Sequence, residues 1–297
     1  MIGLTASNAR SQEATPRPAL FSTPMPGRLL RLTAPVSIPV PGIGREIEAK
    51  LATTEEEWDE AFRLVAANYQ SRGYEPAGSS AVRFTPYHAL PDTAVFVAKH
   101  AGQVVATLSL VPDNVLLGLP METIYGPEIQ ALRRAGRHLV EVTSLADQDL
   151  DLREFIAVFV TLMRLQAQYG INQDADTWVI TVNPRHRNFY RKVMGFVPFG
   201  GQRAYPTVQN HPAEAYLLDT TLLRVNAPEM YQRLFGELLP VEALRPDPMP
   251  VYLVRHFSSL SSHCDDQQVE QILQYVDAAG SPLTWQSPWP AVALENR

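Results

Sequence analysis

Trp178-Val-Ile-Thr-Val-Asn183-Pro-Arg-His-Arg-Asn-Phe-Tyr190-Arg-Lys-Val-Met-Gly195-Phe196 reads as strand, cap, short helix, glycine stop and strand. Residues 178 to 182 are β-branched or aromatic, the composition of a buried strand. Asn183 caps the short helix, because its side chain accepts from free backbone amides. Pro184 sits in a first helical turn, where its missing N–H is not needed. From Arg187 the helix is expected to carry Tyr190 and Val193 inward until Gly195 stops it. Any α/β protein can hold such a unit, so the rest of the chain has to decide.

Towards the N-terminus, Leu152 to Tyr169 is the most apolar helical stretch, apolar over most of its circumference and so packed on a sheet, with Gly170 as its cap. His138 to Leu145 is a strand that carries a carboxylate, Glu141, among Leu139, Val140 and Val142. A short helix over 127–135 precedes it. Thr93–Lys99 and Gln103–Val111 form a hairpin through His100-Ala-Gly102. Trp58, Ala61, Phe62, Val65 and Tyr69 recur at helical spacing behind a capping box in which Thr54 and Glu57 satisfy each other's end. Arg45–Ala52 alternates as a first strand. The loop from Tyr74 to Asp92 is long for a compact domain and holds Arg83, Tyr87 and His88, which marks it as functional.

After Phe196 come two more strands, one through Tyr205 and one over Ala213–Leu218. The order β-α-β-β-α-β-α-β-α-β-β gives an α/β fold, a mixed central sheet with helices on both faces. Residues 1–43 are rich in proline and read as a disordered arm. The fold-bearing domain is expected over 44–220 and a helical C-terminal extension over 221–297. In that extension, Asn226 and Glu229 form a second capping box opening a helix to about Leu238, and Val251–Phe257 reads as a strand. Val269, Ile272, Leu273 and Val276 line one helix face, and Trp285 and Trp289 lie in the tail.

Composition bounds the function. With 45% hydrophobic and 19% charged residues the 297-residue chain is ordinary for a globular protein. A formal charge of −6 argues against nucleic-acid partners, which demand a basic surface. One cysteine, Cys264, excludes an internal disulfide and suits a reducing cytoplasm. No run approaches a membrane span, and Asn8, Arg10, Gln12 and Glu13 break the apolar core a signal peptide needs. His-Glu-x-x-His, paired cysteines, Gly-x-Ser-x-Gly and a P-loop are all missing from the sequence, so no metal is expected.

Glu141 is the first candidate. An acid on an apolar strand is costly unless paired or functional, and burial that raises its pKa makes it a general base for an attacking amine. The plain alternative is an edge glutamate bonded to Arg137 or His138. Tyr190 either donates a proton to a reacting group or packs as core. Asn183 caps its helix whatever else it does. Arg185, Arg187, Arg191 and Lys192 form a basic cluster in an acidic protein, a docking surface for an acidic partner or a solvated face.

Several segments together resemble the FeeM-type long-chain N-acyl amino acid synthases, GNAT-fold relatives of the acyl-homoserine-lactone synthases. They are Leu90-Pro-Asp-Thr-Ala-Val-Phe-Val-Ala98, Ala106-Thr-Leu-Ser-Leu-Val-Pro-Asp113, Gly118-Leu-Pro-Met121, Gly136-Arg-His-Leu-Val-Glu-Val-Thr-Ser-Leu-Ala146 and Asn183 to Phe196. The resemblance covers about residues 45–220. It implies a GNAT-like sheet and transfer of a fatty acyl group from acyl carrier protein to the α-amino group of an amino acid. Glu141 matches the acid of the family's Glu-Val-Ser/Thr motif and Thr143 its third position, which places Thr143 with Asn183 among the pantetheine- and substrate-binding residues. Tyr190 matches the tyrosine after Asn-Pro-Arg-His. Some members have an arginine where this chain has Ser144, so that role does not carry over.

Coenzyme A users of this fold bind pyrophosphate at a glycine-rich turn before the central helix. Here the turn is Ala146-Asp-Gln-Asp-Leu-Asp-Leu-Arg153, with three aspartates and no glycine. The expected donor is therefore the acyl-phosphopantetheine of acyl carrier protein, with acyl-CoA as the alternative and no permanently bound cofactor. Arg83 and His88 are candidates to hold the acceptor's carboxylate. Competing readings are an acyl-homoserine-lactone synthase using S-adenosylmethionine, a coenzyme A-dependent N-acetyltransferase, and a non-catalytic acyl-carrier or lipid-binding module.

Overall fold

The computed structural model describes residues 37–240, 244 and 248–279. One eight-stranded sheet spans them, in the order β1-β2-β3-β4-β5-β6-β8-β7. The strands are β1 (Ile38–Pro39), β2 (Ile47–Leu51), β3 (Ala94–His100), β4 (Gln103–Pro112), β5 (Leu139–Asp147), β6 (Thr177–Val182), β7 (Val197–Tyr205) and β8 (His211–Asp219). Every neighbouring pair is antiparallel except β5 and β6. The helices are α1 (Glu55–Ser71), α2 (Glu122–Arg134), α3 (Leu152–Asn172), α4 (Arg187–Lys192), α5 (Thr220–Asn226), α6 (Pro228–Phe235), α7 (Val251–Leu260) and α8 (Asp266–Ala279). No helix among the described residues is long and apolar enough to cross a membrane.

Strand alternation sends successive side chains to opposite faces, which builds two layers. Val140, Val142, Trp178 and Ile180 pack with Phe159, Leu162 and Met163 of α3 and Leu234 of α6. On the other face α1, α7 and α8 cover Val95 and Val97, while α2 covers Leu139 and Val179. Glu141, out of phase with Val140 and Val142, belongs to the second face.

Two features of the central strands open a site. β5 and β6 pair only over Leu139↔Thr177, Val140↔Trp178 and Glu141↔Val179, and then diverge. Next to that divergence Ser109 faces Thr143 while Thr107 faces Ala146, so β5 carries one residue more than β4. The extra residue forms a bulge in which Ser144 takes a left-handed φ of 56°. Bulges re-aim the side chains beside them, and here Val142, Thr143 and Ser144 turn into the gap.

Several expectations need correction. Ile38 and Pro39, counted with the arm by composition, pair with Ala49 and Glu48 of β2; residues 1–36 lie outside the described residues. Val251–Phe257 is helical, within α7, because Leu253, Val254 and Phe257 are buried at helical rather than alternating spacing. Asn226 ends α5 instead of capping α6, whose first residue is Pro228 and whose last is Phe235. Val193 is exposed at the end of α4, and Met194 and Phe196 turn inward in its place.

Gly170 does not end α3, which runs on to Asn172. It is glycine because Trp178 lies against it: a Cβ there would sit 2.7 Å from the indole Cζ2. The Thr54 hydroxyl caps α1 by accepting from Glu57 N, but the Glu57 carboxylate accepts from Thr53 N and pairs with Lys50 and Lys99. Trp285 and Trp289 lie outside the described residues.

Residues 220–279 share the domain's cores. Met230, Leu234, Phe235 and Leu244 join the α3 layer, and Leu253, Val254, Phe257, Val269 and Ile272 join the α1 layer.

Candidate active site

Two cavities meet at the gap between β5 and β6. A polar chamber of about 200 Å³ is lined by Glu141, Arg83, Tyr87, Tyr205 and His211 among others. An apolar chamber of about 480 Å³ is lined by Leu145, Phe155, Ile156, Phe159, Met163 and Phe196 among others. Both share Tyr69, Tyr74, Val142, Thr143, Ser144, Thr181, Val182 and Asn183. The shared residues come mainly from the diverging strand ends, so the gap in the sheet is the waist between the chambers.

Glu141 is 2% exposed. Its Oε2 accepts from the backbone N–H of Met121 at 2.8 Å. Burial raises its carboxyl to about 8, the Met121 bond opposes that, and the nearby Glu122 adds to it. Arg137 and His138 are engaged elsewhere: Arg137 pairs with Asp176 and Asp219, and the His138 Nδ1 meets Asp174 O. Glu141 is thus a buried acid with no cationic partner among the described residues, poised to exchange a proton near neutral pH.

The loop that brings Met121 to Glu141 is tied down. The guanidinium of Arg133, from α2, donates to both oxygens of Asp113 and to Glu122. Asn114 Oδ1 accepts from Leu116 N and Leu117 N, and Glu122 Oε1 accepts from Leu119 N. These ties are internal to the loop or come from α2.

Tyr190 lies in the apolar chamber, its ring edge-on to Phe196 and Phe159. Burial holds its phenol well above the ordinary tyrosine range, so it stays protonated near neutral pH. Glu141 and Tyr190 therefore occupy opposite chambers. Asn183 and Thr143 sit at the waist. Asn183 Oδ1 accepts from Arg185 N, starting the 3-10 turn Pro184–His186, and its amide nitrogen makes no hydrogen bond within the described residues.

Arg83 and His88 part company. Arg83 lines the polar chamber, with its guanidinium 4.3 Å from the Tyr69 ring centroid and an ion pair to Glu75. His88 does not reach that chamber; it lines a small void near Trp58 and Leu90 instead. Its Nδ1 accepts from Thr85 N, leaving the proton on Nε2 to donate to Ser109 Oγ at 3.3 Å. Burial, with Arg83 adding to it, pushes the ring down to about 3, so it is neutral and has no charge to offer a carboxylate. The short 3-10 turn Pro86–Ala89 points His88 into the α1 layer.

The basic cluster divides as well. Arg187 pairs with Glu214 at 2.9 Å, and Arg185 donates to His186 and Tyr74. Arg191 and Lys192 are exposed in the last turn of α4.

Sequence reasoning missed Tyr69, Tyr74, Tyr205, His211 and Thr181 as chamber residues. Tyr205 and His211 flank the β7–β8 turn and Tyr69 ends α1; nothing local distinguishes them from structural aromatics. Thr181 sits within a strand of buried residues, with its hydroxyl buried and unpaired among the described residues.

Residues 60–219 match the family model of the N-acyl amino acid synthase FeeM. The chain belongs to the FeeM family of N-acyl amino acid synthases. It is an N-acyltransferase with a GNAT-like fold. The solved structure of FeeM, an N-acyl amino acid synthase from uncultured soil microbes, is 28% identical and has a TM-score of 0.53, over 61% of this chain and 94% of that chain. The acyl-homoserine-lactone synthase LasI is 18% identical with a TM-score of 0.48, over 66% of this chain and 98% of that one. An agmatine N-acetyltransferase is 13% identical with a TM-score of 0.44, over 58% and 99%. No curated protein matches the chain. The FeeM match ends at Asp219, so α5 to α8 lie beyond it.

Proposed function

We propose that this FeeM family member transfers a long-chain acyl group from the phosphopantetheine thioester of an acyl carrier protein to the α-amino group of an amino acid. The observation that carries this reading is the pair of unlike chambers joined at the β5–β6 gap. An acyl chain suits the apolar chamber, an amino acid suits the polar one, and the thioester carbonyl falls at the waist between them.

The chemistry rests on that placement. The Glu141 carboxylate takes a proton from the acceptor ammonium or from the attacking amine. The amine nitrogen bonds to the thioester carbon, the tetrahedral intermediate collapses, and the C–S bond breaks. The leaving thiolate accepts a hydrogen bond from the Tyr190 phenol and takes its proton from solvent, to which Glu141 returns the one it removed. Asn183 and Thr143 hold the pantetheine and the carbonyl region, and Arg83 faces the acceptor carboxylate.

A coenzyme A donor is disfavoured by charge. At the start of α3, Asp151 Oδ1 accepts from Glu154 N, and the Glu154 carboxylate returns to Asp151 N and to Arg45. The helix end that would attract a pyrophosphate is already capped by acids. A carrier-protein pantetheine brings one phosphodiester and avoids that repulsion. Exposed Arg191 and Lys192, with Arg185 and Arg187, supply cations for an acidic carrier to meet.

The test is mass spectrometry of organic extracts from a bacterial host expressing the chain or its Glu141→Gln variant. An N-acyl amino acid made by the wild type and lost in the variant supports the reaction and the base together. Extracts identical to the empty host, from a soluble protein, sink the reading. Purified protein given acyl-ACP or acyl-CoA then separates the donors.

A further inference from the structure

The α7–α8 turn lies beyond the family match, yet it grips the segment that carries Arg83. Ser80 Oγ donates to Leu260 O at 2.9 Å, and Ser261 Oγ and Cys264 Sγ both donate to Phe84 O. Phe257 stacks on Phe84 and meets Phe62 edge-on. Residues 80–84 are therefore fixed on both sides by the C-terminal helices.

Within this clasp, His263 closes a buried cluster. Its Nε2 lies 3.0 Å from Arg83 Nη1 and 2.8 Å from Glu75 Oε1. Glu75 and Arg83 are 4% and 5% exposed. Burial and the Arg83 charge push the ring down to about 4, so it is neutral. The guanidinium can only donate, so the neutral imidazole accepts from Arg83 Nη1 at Nε2 and carries its proton on Nδ1, which ties the ring to the arginine of the ion pair. Nη1 is thereby committed to His263 and Glu75. The Nε and Nη2 groups of Arg83 make no hydrogen bond within the described residues, and the side chain borders the polar chamber.

We propose that His263 is a positioning residue for the acceptor: it locks the Glu75–Arg83 pair so that the free edge of the guanidinium faces the polar chamber. The C-terminal extension is then part of the amino-acid site, and it acts on acceptor binding alone. This rests on the acyltransfer reading above. A buried ion pair held by one further hydrogen bond has a single geometry, whereas the pair alone can swing about the Arg83 side chain.

The experiment uses the full chain, dodecanoyl acyl carrier protein as donor and a panel of free amino acids, with both substrates varied. His263→Ala is expected to raise acceptor KM on the order of tenfold, with donor KM unchanged and kcat within about twofold. His263→Gln, whose amide oxygen can still accept from Arg83 Nη1, restores most of the loss. Arg255→Ala, which breaks the exposed α7–α8 pair with Glu270, controls for loosening of the helices and leaves KM unchanged.

If the wild type makes product and acceptor KM is the same in His263→Ala, His263 has no positioning role. The same holds if donor and acceptor KM rise together, or if Gln fails to rescue. If His263→Ala does not fold, the comparison of Gln with wild type decides, a tenfold rise there overturning the role. No product from the wild type with any amino acid overturns the acyltransfer reading and this inference with it.

Discussion

Met121 donates its backbone N–H to Glu141 at 2.8 Å, across a gap of twenty residues in sequence. That is the one hydrogen bond to the carboxylate among the described residues, and it comes from a loop whose shape depends on Arg133. Carboxylate, loop and helix α2 are one mechanical unit.

Glu141→Gln keeps the acceptor for Met121 N but cannot take a proton, so acyl transfer should fall by roughly 10²–10⁴-fold. In the wild type kcat/KM for the amino acid should rise as pH passes about 8, where Glu141 ionises. That limb should vanish in the variant. A pH profile with the same limb in both proteins would show that another group titrates.

The same substitution bears on stability. Glu141 has a folded pKa of about 8, above the 4.5 of an ordinary glutamate. Between these values the native state holds a proton that the unfolded chain releases, so stability falls as pH rises through the window and the penalty stays above it. Glu141→Gln removes the penalty. It should leave stability unchanged near pH 4 and raise it at pH 9 by on the order of 5 kcal/mol. Urea unfolding at the two pH values checks this.

Arg133→Met tests the loop. The change leaves Asp113 buried beside Glu122 with its arginine partner gone, which should cost about 3–5 kcal/mol in urea unfolding. Mutating Asp113→Asn as well should recover part of that loss, because it removes one of the stranded charges.

Gly170→Ala sets propensity against packing. Alanine favours a helix by about 1 kcal/mol over glycine, but its methyl would press into the Trp178 indole. Overpacking of this kind costs about 1–3 kcal/mol, so the variant should be less stable. A rise in Tm would mean the indole moves freely.

The apolar chamber should set chain length. Ile156→Trp fills space between α3 and the sheet, and products should shift to shorter acyl groups while the amino acid stays the same. An unchanged product mass distribution would place the acyl chain elsewhere.

Much of the sheet was legible because strand alternation and glycine stops are local: Gly73, Gly136 and Gly195 all take the positive φ that ends a helix. Glu141 stood out because an acid interrupts an apolar strand. The β5 bulge left no trace, since Ser144 enters the left-handed region only under the demand of two mismatched strands. His88 was misplaced for a similar reason: the Pro86–Ala89 turn, not the loop's length, decides which way its ring points. His263 was invisible because its partner is 180 residues away. Val251–Phe257 misled because a short apolar run suits either period.

The divergence of β5 from β6 also has a consequence after the bond has formed. The N-acyl amino acid of the proposed reaction is both substrates fused at the carbonyl, so it would thread the waist with one end in each chamber. It would therefore compete with donor and acceptor alike, and its release would draw one end back past Thr143 and Thr181. On the proposed reaction, departure from the enzyme rather than bond formation is the step expected to be slow.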